Sequence, residues 1–143
     1  MKIVSWNVQG LGGPQCHRLQ KILIGAPIDV LFLQEHHLCQ RRIDSYGSIL
    51  LDQWTTYWSP GLGNNGVQAG VCIAIADRWK ANIIHYEELI SGRSQCIILN
   101  VLGEGVAFIY MPQILAMNEC LYGINLLHYV QQWIIGVLEV ILT

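Results

Sequence analysis

KIVSWNVQGLGGPQCHRLQKILIGAPIDVLFLQE, residues 2–35, holds the first three structural elements of the chain in order. Residues 2–8 are rich in β-forming side chains and run into the turn-forming Gly10-Leu11-Gly12-Gly13-Pro14. After that turn Cys16, Leu19, Ile22 and Leu23 recur at helical spacing, with Pro14 near the start and Gly25 beyond the end as punctuation. Residues 29–35 contain the unbroken apolar run Val30-Leu31-Phe32-Leu33, which suits a strand covered on both faces. Strand, helix, strand predicts a right-handed βαβ unit with parallel strands. The C-terminal ends of both strands then emerge on one sheet edge, which brings Asn7 and Glu35 together. A carboxylate on that edge can hold Mg²⁺ through oxygen, and an amide can orient a phosphate oxygen. On spacing alone the same two residues serve equally as strand-end caps.

Outward from this unit, residues 48–51, 70–76, 82–86, 95–102 and 106–110 read as strands, separated by turns such as Gly61-Leu62-Gly63-Asn64-Asn65-Gly66. They predict an antiparallel stretch. Met117, Cys120, Leu121, Ile124 and Leu127 follow helical spacing over residues 116–132, although Gly123 within it costs about 1 kcal/mol relative to alanine. Residues 133–142 read as a closing strand. No repeat, low-complexity tract or linker divides residues 1–143, which read as one small domain or part of a larger one.

The composition is apolar: 52% hydrophobic and 13% charged residues, against about 25% charged in a typical soluble domain. Mean hydropathy is +0.37. No apolar run approaches the ~20 residues that cross a bilayer, so no membrane partner is expected. Lys2 is followed at once by an alternating strand pattern, so no secretory leader is expected either. A formal charge of −2 gives no global attraction to nucleic acid, and any such binding must be local. The five cysteines form no Cys-x-x-Cys pair, and they read as reduced thiols of an intracellular protein.

The two strand ends also carry a resemblance. Ile3-Val4-Ser5-Trp6-Asn7-Val8-Gln9-Gly10-Leu11 resembles the opening W-N-x-x-G-L motif of the endonuclease/exonuclease/phosphatase superfamily, and Asp29-Val30-Leu31-Phe32-Leu33-Gln34-Glu35 resembles its D-x-x-x-L-Q-E motif. Glu35-His36-His37-Leu38, the strand opening at Ala69-Gly70-Val71 and Ile109-Tyr110-Met111-Pro112-Gln113 look like the versions in plant-type non-LTR retrotransposon endonucleases. In the third motif, Y-x-P-N, Gln113 replaces asparagine while Tyr110 remains. Against the fourth, W-x-x-G then G-D-F-N, the chain reads Trp133-Ile134-Ile135-Gly136-Val137-Leu138-Glu139, which puts Val137 where the catalytic aspartate is expected and Glu139 where the asparagine is expected. The final S-D-H motif has no counterpart before Thr143.

The resemblance implies an α/β fold, a partial four-layer α/β/β/α sandwich amounting to about half of a DNase I-like domain. It implies Mg²⁺ (or Mn²⁺) as cofactor and DNA as partner. Carried over, Glu35 is the metal ligand, Asn7 a metal- or phosphate-orienting amide and Tyr110 a hydroxyl donor to phosphate. With Val137 in place of the aspartate and no terminal Asp-His, the expectation is a retrotransposon-derived endonuclease remnant without independent activity. The competing expectation is a non-catalytic interaction module. Loss of half the fold would leave an apolar inner sheet face exposed, from which self-association is expected.

Several other features have ordinary readings. His36-His37-x-Cys39 lacks the four convergent ligands of a zinc site and reads as structural or substrate-facing. His128 lies beside an apolar helical stripe and reads as a hydrogen-bonded boundary residue. Gly61-x-Gly63-x-x-Gly66 fits a dinucleotide fingerprint literally, but a strand follows it where a helix is required. Arg41 and Arg42, with Arg93, are candidates for DNA phosphate contact beside the reading of a solvated face. Trp54, Tyr57 and Trp58 read as buried aromatics.

Overall fold

The computed structural model describes residues 1–63 and 68–110. The expected helix over 116–132 with His128, the closing strand over 133–142, and Gln113, Val137 and Glu139 lie outside the described residues. Strand β1 (Ile3–Asn7), helix α1 (Pro14–Leu23) and strand β2 (Val30–Gln34) form the βαβ unit, and β1 and β2 run parallel with Ile3 opposite Val30 and Asn7 opposite Gln34. Helix α2 (Gln40–Leu50) follows, then strands β3 (Trp54–Ser59) and β4 (Val71–Ala76), and a 3-10 turn at Asp77–Asn82. Strands β5 (Ile83–Ile90), β6 (Ser94–Val101) and β7 (Glu104–Tyr110) complete the described chain. The first sheet has the order β1-β2-β4-β3, with β4 antiparallel to both neighbours; the second is the antiparallel meander β5-β6-β7.

Alternation along β2 builds two cores. Leu31 and Leu33 face α1 and α2, where they meet Leu19, Leu23, Leu38 and Ile43. Val30 and Phe32 face the second sheet and meet Ile97, Leu99, Phe108 and Tyr110. All six residues of β4 are buried, as befits a strand covered on both sides. Helices, sheet and sheet are three layers of the expected sandwich. Strands buried on both faces also account for the scarcity of charge.

Three expectations need correction. Residues 48–51 do not form a strand: residues 48–50 are the last turn of α2, which starts after Cys39 in extended conformation and is braced by Gln40 donating to Asp44 Oδ1 at 2.7 Å. A short apolar run such as Ile49-Leu50-Leu51 has no periodicity of its own to separate strand from helix. Conversely, Trp54, Tyr57 and Trp58 are partly buried members of a strand, with Trp54 and Trp58 packed toward the helices and Tyr57 toward the second sheet. The inner face of the first sheet is also not bare. Val71, Ile73 and Ile75 are 0–1% exposed beneath the second sheet, which removes the exposed apolar face invoked for self-association. Among the described residues no helix is long and apolar enough to cross a membrane.

Asp29 ties the end of the sandwich remote from Asn7. Its carboxylate accepts from the Lys2 N–H at 2.6 Å, Trp79 Nε1 at 2.7 Å and Arg78 Nη2 at 2.7 Å. Burial works to raise this carboxyl, but those hydrogen bonds and the Arg78 charge outweigh it and hold the group below its ordinary range. Asp29→Ala should destabilise the fold by about 2 kcal/mol, chiefly by stranding the partly buried Trp79 N–H. Chemical denaturation with an unchanged m-value checks this.

Candidate functional site

The sheet edge predicted from the βαβ unit exists. Asn7 pairs with Gln34 in register, and Glu35 is the next residue along. Pairing continues past both strand ends: Val8 N–H donates to Gln34 O at 3.0 Å, Gly10 N–H to Glu35 O at 2.6 Å and Leu11 N–H to His36 O at 2.8 Å. On the other side, His36 N–H donates to Gly70 O at 3.2 Å and His37 N–H to Ala69 O at 3.1 Å. Three loops are thereby stitched into one surface.

That surface is held in unusual backbone conformations. Of six non-glycine residues at positive φ among those described, four lie here: Gln9 (47°), Glu35 (56°), His37 (55°) and Ala69 (55°). Such conformations cost on the order of 1–3 kcal/mol each and persist where the surroundings over-determine them, commonly at functional sites. At Gly70, φ is +91° and a Cβ would lie 2.6–2.9 Å from three atoms of the His36 ring, so only glycine fits without rearrangement.

His36 is fully buried and structural. Its Nδ1 accepts from the Leu38 N–H at 3.0 Å, while its Nε2–H faces the carbonyls of Ser59 at 3.0 Å and Val71 at 3.3 Å. That pattern fixes the neutral Nε2–H tautomer. Burial, the dominant influence, lowers its pKa to about 4 against the opposing pull of the two carbonyls. The ring therefore pins the end of β2 to the ends of β3 and β4. His37 points the other way: its Nε2 is 3.0 Å from Glu35 Oε2, with the two side chains 35% and 31% exposed. The two histidines of the His-His-x-Cys run thus serve different partners, His36 the strand-end carbonyls and His37 the Glu35 carboxylate. Among the described residues, no group of three or more His, Cys, Asp or Glu side chains is placed to hold a metal.

Asn7 is exposed, and its Oδ1 accepts from the Gln9 N–H at 3.1 Å. Tyr110 ends β7 and lies buried against Phe32, with ring centroids 4.7 Å apart and planes 16° from parallel. Its hydroxyl has no partner of ordinary hydrogen-bond geometry among the described residues. Burial raises its pKa first; the nearby Ser5 hydroxyl pulls it down, and the Glu35 carboxylate adds to the rise. At neutral pH the hydroxyl keeps its proton and is a donor. Glu35 and Asn7 supply oxygen atoms of the type magnesium and manganese take, and a cation held by so few side chains would retain most of its waters.

Arg41 and Arg42 stand exposed on the first turn of α2, a few residues beyond Glu35. Arg93 lies in the β5–β6 turn, which reaches this edge through the Gly70 N–H donating to Gly92 O at 3.0 Å. A cleft of about 280 Å³ beside Asn7 is lined by Trp6, Gln9, Gln15 and Arg18 among others. Two larger clefts open at the remote end around Leu23, Gln53 and Trp54, away from all these groups. Sequence reasoning passed over Arg18 and the contact of His37 with Glu35. The Glu-x-His spacing was visible, but folding the ring back onto the carboxylate depends on the left-handed turn.

No protein-family model matches the chain, and no curated protein matches it. Solved structures do. The AP endonuclease LMAP from Leishmania major is similar over 89% of this chain and 42% of its own, with a TM-score of 0.64 and 17% identity. The APE2 catalytic domain from Xenopus laevis is similar over 92% of this chain and 52% of its own, with a TM-score of 0.54 and 20% identity. At such identities the likeness is one of fold, and it makes the architecture a partial DNase I-like sandwich. The chain spans about half the length of these structures.

Proposed function

We propose that this chain carries the cation and phosphate corner of a DNA endonuclease of retrotransposon type, without the group that activates the attacking water. The observation carrying this reading is the adjacency of Asn7 and Glu35 at the ends of the parallel strands β1 and β2, on a strained edge, with Tyr110 stacked on Phe32 of β2 from the second sheet. AP endonuclease structures share the fold, which raises the weight of a phosphodiester substrate. Glu35 would hold a magnesium or manganese ion. Asn7, with its oxygen already engaged by the Gln9 N–H, presents its amide hydrogens to a phosphate oxygen. Tyr110 donates its hydroxyl proton toward the same phosphate. When bound, the cation supplies charge neutralisation at the phosphate oxygens. Arg41, Arg42 and Arg93 add positive charge where a DNA backbone would run.

Low activity is expected from the sequence of the fourth motif, where Val137 offers no proton acceptor in place of the expected aspartate and Glu139 stands for the asparagine. Gln113 for the asparagine of the third motif weakens phosphate positioning further. Loss of one member of such a set removes several powers of ten in rate. The alternative of a purely apolar interaction module loses its basis with the inner sheet face covered. We read the four described cysteines, all free, as thiols of an intracellular protein.

The test is an assay of the purified chain on abasic-site and supercoiled DNA, with and without Mg²⁺, beside Glu35→Ala. No Glu35-dependent cleavage is expected, whereas cleavage lost in the variant would overturn the assigned inactivity.

A further inference from the structure

Resting on that reading of Glu35, we infer that His37 is the positioning residue of the cation corner: its ring N–H holds one carboxylate oxygen of Glu35 and presents the other outward. The geometry is local and specific. Glu35 and His37 both adopt left-handed backbone, at φ 56° and 55°, on either side of a residue that cannot move. That residue, His36, is clamped by hydrogen bonds to β3, β4 and the following loop. Two left-handed residues around a fixed pivot turn the chain so that side chains two positions apart meet, and His37 Nε2 comes within 3.0 Å of Glu35 Oε2. Gly10, in the loop after β1, lies beside the ring: a Cβ added there would be 3.5 Å from His37 Nδ1.

The carboxylate partner selects the Nε2–H form of the ring, which donates whether the second nitrogen is protonated or not. A carboxylate held by one oxygen keeps a single orientation of the other, which lowers the ordering cost of cation binding. Hydrogen bonds of this second-layer kind are generally worth 10- to 100-fold in metal affinity. The pair is one-third exposed, and exposed pairs contribute at most about 1 kcal/mol to folding, so its effect should appear in binding and not in stability.

The experiment titrates Mn²⁺ into the full chain by calorimetry or electron spin resonance, comparing wild type, Glu35→Ala, His37→Ala and His37→Gln. Loss of binding in Glu35→Ala, about 10- to 100-fold weaker binding in His37→Ala, recovery of most of it in His37→Gln, and similar melting of both His37 variants support the assignment. If Glu35→Ala loses Mn²⁺ while His37→Ala binds as tightly as wild type or tighter, or if glutamine fails to restore binding, the positioning role is wrong and the corner stands. If Glu35→Ala binds Mn²⁺ like wild type, the corner itself is wrong and His37 falls with it.

Discussion

Gly70→Ala is expected to destabilise the chain by roughly 3 kcal/mol or more, lowering the melting temperature by about 10 °C. Two independent costs act at once. At φ +91° an alanine enters a conformation that L-residues rarely adopt, which costs on the order of 1–3 kcal/mol. Its Cβ would also lie 2.6 Å from His36 Cε1, closer than any contact a packed interior tolerates. The ring has no alternative place: moving it strands the Ser59 and Val71 carbonyls and the Leu38 N–H, each at about 1–3 kcal/mol when buried. Gly12→Ala is the control, because nothing lies within 4 Å of a Cβ there. Equal melting of the Gly70 and Gly12 variants would show that His36 does not pin the edge as described.

Acid should destabilise the chain through the same residue. A histidine whose folded pKa is about 4 against an ordinary 6.5 binds its proton more readily when unfolded. Between those values the unfolded state therefore carries the extra proton, and stability rises with pH. The contribution is fully present above pH 6.5 and is lost as the pH falls toward 4, amounting to about 3 kcal/mol over that window. Asp29 acts in the same direction but lower, below its ordinary value of 3.8, so the two limbs are separable. Urea denaturation from pH 7.5 to 4 reads the slope. His36→Gln, though less stable overall, should flatten it across pH 6.5–4; an unchanged slope in that variant would assign the acid sensitivity elsewhere.

How much of this was legible in the sequence depended on whether local chemistry or tertiary contact decides each feature. The βαβ unit was legible because Pro14, Gly25 and the run Val30-Leu31-Phe32-Leu33 mark its boundaries within the segment itself. It carried the adjacency of Asn7 and Glu35 with it, since parallel strands bring their C-terminal ends to one edge. The meander of β5, β6 and β7 was legible from apolar runs between turns. Helix α2 was not, because Ile49-Leu50-Leu51 satisfies either period. Strand β3 was hidden because its aromatic cluster looked like core without showing which faces it served: Trp58 meets His36 edge-on at 5.2 Å, and Tyr57 stacks on Tyr86 at 4.2 Å. Glu-His-His-Leu reads as a polar loop until the fold shows that the two imidazoles point to opposite destinations. The distinction lies in the φ angles of Glu35 and His37, which no side-chain pattern specifies.

The covering of the first sheet by β5, β6 and β7 changes what half of a DNase I-like fold means here. The described strands already enclose a core between two sheets and another beneath the helices. A chain spanning 42–52% of the AP endonuclease structures thus has a packed scaffold for the proposed cation corner.

The most direct test of that corner is a map of Mn²⁺ on the isotopically labelled chain by paramagnetic broadening of its amide resonances. Broadening centred on Asn7, Glu35 and His37, spreading to Gly10 and Tyr110 and abolished by Glu35→Ala, is the predicted result. Broadening centred elsewhere, or one that persists at this edge without the Glu35 carboxylate, would contradict it.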